Sequence, residues 1–211
     1  MPAKPTSPWI VAPTPVGSAE AVSLLLDYLL DVSNSYYQHH HGRPALPDEV
    51  EPGLTDYRSE DLAPPTGLFL VGRRDGEPAG CAGLRVLTPD TVELTRMFIR
   101  PAHRGTGGGG RLLAAAEHAA RGLGARRIWL DTRLDLTEAR ALYLRHGFVE
   151  IPLYKDDPYA EICYGKELDA APDVRPPGVR TPDPGAVGPG AFGPGGAGVT
   201  AGPASPPSPS R

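Results

Sequence analysis

The chain has 211 residues, 40% hydrophobic and 22% charged, with a formal net charge of −4 at pH 7. That length is one domain, or one domain with tails, and the acidity excludes broad nucleic-acid binding while suiting a cationic partner. No apolar run reaches membrane-spanning length, the opening "MPAKPTSPWIVAPT" has no signal-peptide core, and Cys81 and Cys163 sit in apolar stretches as buried free thiols, so a cytoplasmic protein without membrane contact is expected.

Glycine and proline number 26 each, too many for one compact domain. The excess lies at the end: residues 170–211 hold 9 Gly and 11 Pro, with Val174, Val179, Val187, Phe192 and Val199 their only large apolar side chains. Such a segment buries too little surface to offset the cost of ordering it. The expected organisation is a flexible N-terminus over residues 1–8, a folded domain over 9–169 and a disordered tail over 170–211. The tail carries Asp173 and Asp183 against Arg175, Arg180 and Arg211, which leaves about −5 on the body.

In chain order, "WIVAP" reads as a short strand. Ser18 reads as the N-cap of a helix running toward Gln38, with Val22, Leu25, Leu26, Leu29, Val32 and Tyr36 on one face. Residues 42–65, rich in proline and acids, read as a loop. "GLFLVGR" and "PAGCAGLRVL" flank Asp75-Gly76, a strong hairpin signal, and "TVELTRMFIR" adds a third strand. After a glycine-rich stretch, Leu112, Leu113, Ala116, Ala119, Ala120 and Leu123 mark a helix that Gly122 and Gly124 stop. "RRIWLDT" is a strand of buried type. Asp135 or Thr137 is the expected cap of the helix in "TEARALYLRHG", and "FVEIPLY" and "EICYGKEL" make two last strands. The order is β-α-β-β-β-loop-α-β-α-β-β, a mixed α/β arrangement. The central β-loop-α-β crossover should be right-handed and parallel, and most remaining pairings hairpins.

"RPAHRGTGGGGRLLAAAEHAA", residues 100–120, concentrates glycine where a helix begins. As a P-loop, G-x-x-x-x-G-K-[ST], it has Arg111 for the lysine and Leu112 for the metal-anchoring hydroxyl, which rules that reading out. Gly105, Gly107 and Gly110 fit G-x-G-x-x-G, but a dinucleotide site needs a tight turn opening a βαβ unit; here "PAHR" intervenes after a meander. A flexible surface loop needs no flanking strand and helix. The third pattern, R-x-x-G-x-G with Arg104, Gly107 and Gly109, lines backbone N–H groups at a helix N-terminus, where they and the dipole attract an anion. His103, Arg104 and Arg111 add positive charge.

Together "VELTRMFIRPAHRGTGGGGRLL", "RIWLDT" and "EARALYLRHGFVEI" resemble the GNAT acyl-CoA N-acyltransferases. The likeness rests on strand-R-x-x-G-x-G-helix and on A-x-x-L-Y-x-x-x-G-F 35 residues later. It implies an α+β fold whose mixed, mostly antiparallel sheet is flanked by helices and splays open between strands 4 and 5. It implies acetyl-CoA as co-substrate, a small-molecule or peptide amine as acceptor, no metal, and a homodimer as one assembly found in the family. The pantetheine arm would pair with the backbone of Met97, Phe98 and Ile99. The diphosphate would lie on Arg104, Gly105, Thr106, Gly107, Gly108, Gly109 and Gly110. Many members carry asparagine just before the last conserved helix, where this chain has Leu136, so one polar contact must be missing or supplied elsewhere.

An amine attacking a thioester must lose its proton, needs a donor for the developing oxyanion, and gains from an acid near the leaving thiolate. By the resemblance, Glu93, four residues before Met97, is the candidate base, directly or through water; its bland counterpart is a strand carboxylate paired with an arginine such as Arg96. Tyr143, the tyrosine of L-Y-x-x-x-G-F, is the candidate acid; its bland counterpart is aromatic packing. His39-His40-His41 read as a solvated helix end rather than a metal site, because adjacent histidines diverge and no partner stands at ligand spacing. Tyr36, Tyr37, Asp48, Glu49, Glu51 and Asp56 lie where acceptor-shaping segments fall, and read equally as a cation-selecting surface or a solvated loop. The rival to an enzyme is a non-catalytic acyl-CoA-binding or regulatory module on the same fold.

Overall fold

The computed structural model describes residues 8–56, 59–157 and 159–168. The expected tail over residues 170–211, and residues 1–7 of the expected flexible N-terminus, lie outside these. In chain order the elements are β1 (Ile10–Pro13), α1 (Ala19–His41), α2 (Pro47–Asp56), β2 (Gly67–Arg74), β3 (Glu77–Thr88) and β4 (Thr91–Ile99). After them come α3 (Gly108–Gly122), β5 (Arg127–Thr132), α4 (Thr137–Arg145), β6 (Val149–Ile151) and β7 (Ile162–Glu167).

Ser18 caps α1 as expected: its hydroxyl accepts from the Ala21 N–H at 3.3 Å. The helix outruns Gln38 by three residues and stops at Gly42, which takes φ 68° and donates to the Gln38 carbonyl. Its buried face is Ala21, Leu24, Leu25 and Leu29, while Val22, Leu26 and Leu30 face outward. Of the expected face, Leu25 and Leu29 are buried, Val32 and Tyr36 are half-buried, and Val22 and Leu26 are turned away.

The expected loop over residues 42–65 contains α2, and its start explains the departure. Pro47 occupies the first helical position, Asp48 and Glu49 the first turn, and the Glu49 carboxylate accepts from the Leu46 N–H at 2.7 Å. Proline at N1, acids at the positive end of the dipole and a glutamate reaching back to the cap are helix-start signals. The same residues, counted as composition, read as loop.

The β2–β3 hairpin turns at Asp75 (φ 55°) and Gly76 (φ 85°), the pair of positive φ values a type I′ turn needs. The seven strands form one sheet in the order β1-β2-β3-β4-β5-β7-β6. Every pairing is antiparallel except β4–β5, which α3 connects in parallel. On one face Leu112, Leu113 and Ala116 of α3 and Tyr143 of α4 pack on Leu84, Leu94 and Leu130. On the other, Leu24 and Leu25 of α1 pack on Phe69, Val71, Cys81 and Phe98. Burying one such side chain is worth about 1.5–3 kcal/mol, and the two clusters clamp the sheet between layers.

Neither Asp135 nor Thr137 caps α4. Leu136 holds the cap position with no side-chain hydrogen bond. Asp135 accepts instead from Arg133 (2.8 and 3.0 Å) and from Ser35 of α1 (3.2 Å). The ion pair with a buried arginine outcompetes the helix end for that carboxylate.

Candidate active site

Strand β4 pairs with β5 only through Thr91↔Arg127, Val92↔Ile128 and Glu93↔Trp129. The two then part, β4 running on to Ile99 with β3 as its partner and β5 staying paired to β7 through Thr132. A gap therefore opens in the middle of the sheet, between strands 4 and 5. Just beyond the parting, Arg96 takes φ 53° and the β3–β4 register slips between Gly83↔Thr95 and Cys81↔Phe98. This is a β-bulge, which interrupts the ladder and re-aims backbone groups. The buried Cys81 thiol, its pKa raised by burial, reaches the bulge carbonyl of Arg96 at 3.4 Å.

The loop after β4 is shaped rather than loose. Gly105 (φ 71°) and Gly107 (φ 85°) are left-handed, and a Cβ on either would meet no heavy atom within 4 Å. Gly108, the first residue of α3, lies under the Trp9 indole, and Gly109 and Gly110 face Leu142 and His146 of the α4 region at 3.0 and 3.3 Å from a built Cβ. Thr106 donates to the His103 carbonyl (2.6 Å) and accepts from Trp9 Nε1 (3.1 Å). The loop is thus pinned from behind, while its outer surface is bare backbone at a helix N-terminus whose first N–H groups have no intrahelical partner. Arg104 turns back to α1, donating to Asp31 at 2.7 Å and to the Ile99 carbonyl at 3.1 Å. Of the β4 residues expected to meet a cofactor, Met97 and Ile99 pack against the α3 side; Phe98 is buried on the α1 side, 6.2 Å from the Tyr28 ring, so only its backbone faces the gap.

Strand alternation sets Leu94 and Leu130 toward α3, and therefore Glu93, Trp129 and Asp131 toward α1. Glu93 is 1% exposed. Its Oε2 accepts from Arg85, its cross-strand neighbour, at 3.1 Å; its Oε1 accepts from the Tyr154 hydroxyl at 2.8 Å and from Lys155 Nζ at 3.1 Å. The arginine on Glu93 is Arg85, not Arg96, whose guanidinium stands 6.0 Å over the Tyr28 ring. Lys155 Nζ also meets Asp131 Oδ1 at 2.6 Å, so one ammonium bridges β4 and β5 where they part. Burial acts to lower the Lys155 pKa, but the Asp131 and Glu93 carboxylates outweigh it and hold it above its ordinary value. Burial, and next the Glu93 charge, raise the Tyr154 phenol, which stays a donor.

Tyr143 enters from the opposite layer. Its ring lies 5.9 Å from Phe148 and 6.3 Å from Tyr164. Burial raises its pKa first, and Tyr28 of α1 and Asp131 of β5 add to the shift. The Tyr143 side chain belongs to the α3-side core, on the face of the sheet opposite to Glu93.

Tyr154, Lys155, Asp131 and Arg85 form the polar site with Glu93, and sequence reasoning named none of them as a residue of the acyl-transfer site. Tyr154 and Lys155 lie in the irregular β6–β7 connection, 61 and 62 positions from Glu93, where no periodicity signals a contact. The one available hint was a lysine and tyrosine beside paired acids in "LYKDD". His39, His40 and His41 form the exposed last turn of α1, with His40 4.4 Å from the Tyr36 ring. Among the described residues no group of three or more His, Cys, Asp or Glu is disposed to hold a metal, and no helix is long and apolar enough to cross a membrane. A surface hollow between Pro13, Val16, Leu62, Pro64 and Phe69 has no ionisable lining and offers nothing for proton chemistry.

The sequence model of the acetyltransferase (GNAT) family matches residues 26–148, more than half of the chain. The protein is 37% identical over 92 residues to an IAA acetyltransferase of Azospirillum brasilense, an alignment covering 43% of this chain and 60% of that one. It spans 54–64% of the length of the first curated relatives it matches. The fold is similar to a GNAT-family acetyltransferase of Staphylococcus aureus, with TM-score 0.59, 19% identity, and 76% of this chain and 99% of that one covered. It is also similar to a GNAT acetyltransferase of Elizabethkingia anophelis solved with acetyl-CoA bound, with TM-score 0.51, 18% identity, and 76% and 98% covered. The forked sheet, the glycine-lined helix start and the family match over residues 26–148 agree: this chain belongs to the GNAT acetyltransferase family.

Proposed function

We propose that the protein moves an acetyl group from acetyl-CoA to a primary amine by direct attack, with both substrates bound at once. The observation that carries this reading is the arrangement around the fork. A carboxylate, Glu93, stands at the last β4–β5 pair on the α1 side, and a buried phenol, Tyr143, stands on α4 in the opposite layer.

The residues present fit the co-substrate. The bare positions Gly105 and Gly107 admit a diphosphate against the backbone, since a side chain there would fill open space. Arg104, Gly105, Thr106, Gly107, Gly108, Gly109 and Gly110 would hold it, Thr106 through its backbone because its hydroxyl is already engaged. Met97, Phe98 and Ile99 would offer main-chain groups to the pantetheine arm along the open side of β4. Acetyl-CoA supplies an activated acyl group and a thiol leaving group.

The protein's own groups do the proton work. An alkyl amine with a pKa of about 10.4 is mostly ammonium at neutral pH, so Glu93 takes its proton, directly or through a water. Arg85 and Tyr154 aim that carboxylate. Main-chain N–H groups at the bulge meet the charge that develops on the acyl oxygen. Tyr143, kept protonated by burial, donates to the departing sulfur.

Incubating the protein with acetyl-CoA and a mixed library of primary amines, then reading products by mass spectrometry and thiol release, tests the reading. Acetylated amine is the expected product, and Glu93→Gln should suppress it. Binding of coenzyme A without thiol release from acetyl-CoA in the presence of any amine, unaltered by Glu93→Gln, would leave a non-catalytic acyl-CoA-binding module in its place.

A further inference from the structure

Of the two lysines among the described residues, Lys166 is tied to Glu117 of α3 at 2.7 Å. Lys155 is in a different situation. Its Nζ lies 3.1 Å from Oε1 of the proposed base and 2.6 Å from Asp131 Oδ1, spanning the opening where an incoming amine has to stand. An attacking nitrogen needs to be within hydrogen-bond reach of the group that takes its proton and beside the bound electrophile. Glu93 meets the first condition directly. The second follows from position: Asp131 lies two residues past the last β4–β5 pair, where the two strands have parted.

We propose that Lys155 is itself an acetyl acceptor, so that the protein acetylates its own site when no outside amine occupies it. This rests on the transferase reading above. Glu93 takes one proton from the Lys155 ammonium, and the freed nitrogen lone pair forms the new C–N bond to the acetyl carbon as the C–S bond breaks. The coenzyme leaves as its thiol with the proton of Tyr143, and Tyr143 recovers a proton from the second N–H. Lys155 ends as a neutral amide, and the proton left on Glu93 passes to solvent. Because the amide carries no charge, Glu93 and Asp131 lose the cation they share, and Glu93 keeps Arg85 as its cationic partner.

The 211-residue chain is incubated with acetyl-CoA and no added amine, and peptides are mapped by mass spectrometry. Coenzyme A binding and transfer to the external amine library are measured on the same sample. One acetyl group on Lys155, with Lys166 far behind, is expected. Lys155→Arg should abolish it, and Tyr143→Phe should slow it on the order of a hundredfold. The Tyr143 variant serves as the main control because Glu93→Gln also removes a charge that Lys155 itself pairs with. Transfer to external amines with Lys155 unlabelled overturns this proposal and leaves the transferase reading standing. So does labelling of Lys155 at the pace of Lys166, or labelling undiminished by Tyr143→Phe, since either marks uncatalysed chemistry. Absence of both coenzyme A binding and external transfer overturns the transferase reading and this proposal with it.

Discussion

The Trp9 indole lies flat enough on Gly108 that a Cβ there would stand 2.6 Å from Cη2, and closer still to Cζ2 and Cε2. The same ring donates to Thr106 through Nε1. A residue before the first strand therefore sets the shape of a loop nearly a hundred positions away. Gly108→Ala should destabilise the fold by about 1–3 kcal/mol, the usual cost of overfilling a packed site. Trp9→Leu should reduce that cost, because the two positions share one clash and do not add. Gly107→Ala should behave differently: its Cβ has room, but φ 85° costs a non-glycine residue about 1–2 kcal/mol, and no change at Trp9 relieves it. Urea unfolding of the single and double variants gives the comparison.

The glycine loop illustrates what a sequence exposes and what it hides. Its concentration of glycine before an amphipathic pattern marks a backbone built for close approach, and the helix does begin inside it. The residues have three separate causes, however: positive φ at Gly105 and Gly107, the indole at Gly108, and α4-region neighbours at Gly109 and Gly110. Only the first is local. The hairpin at Asp75-Gly76 was legible because both residues of its turn state their own conformation. Helix α2 was missed because proline and acids were weighed as composition instead of by position relative to a start. On α1, periodicity located an apolar arc but could not tell which part the sheet would cover. Glu93 and Tyr143 stand on motifs and could be named; Tyr154 and Lys155 come to Glu93 through chain reversal at β6 and β7, which leaves no local trace.

Arg104, proposed to meet the diphosphate, is held by Asp31 of α1 at 2.7 Å, with both side chains partly exposed. A guanidinium shared with a carboxylate gives less to an anionic ligand than a free one. Asp31→Asn should tighten coenzyme A binding by up to about fivefold, matching the worth of an exposed ion pair. Raising the salt concentration should shrink the difference. Isothermal titration of both proteins at two ionic strengths measures it; weaker binding in the variant would mean that Asp31 positions Arg104 instead of competing for it.

The turn between β3 and β4 depends on Asp90. Its carboxylate accepts from Thr88 (2.8 Å), from Thr91 (2.9 Å) and from Arg127 at the start of β5. Those three donors, Thr88 first, lower its pKa to about 2, against an ordinary aspartate near 3.9. The folded-state value lies below the unfolded one, so the stabilisation is complete above about pH 4 and is lost as pH falls through about 2. Glu49, lowered to about 2 chiefly by its hydrogen bonds from Arg43, titrates in the same window. Asp90→Asn should therefore lower the urea midpoint at pH 6 and remove part, not all, of the drop between pH 4 and pH 2. An unchanged acid slope in the variant would show that the turn does not depend on that charge.

Tyr143 must be protonated to act as an acid, and burial, followed by Tyr28 and Asp131, raises its pKa above that of an ordinary phenol near 10. The direction sets the form of the pH–rate profile. Activity should rise with pH as the amine substrate loses its proton, and it should not fall around pH 10, where an unshifted phenol would lose its own. Tyr143→Phe should lower kcat on the order of a hundredfold or more, with little change in coenzyme A affinity, because the donor matters only as the thiolate departs. The rising limb should persist in the variant, since it belongs to the amine. A wild-type profile that turns down near pH 10, or a Tyr143→Phe protein of normal kcat, would assign the leaving-group proton to another donor and return Tyr143 to packing against Phe148 and Tyr164.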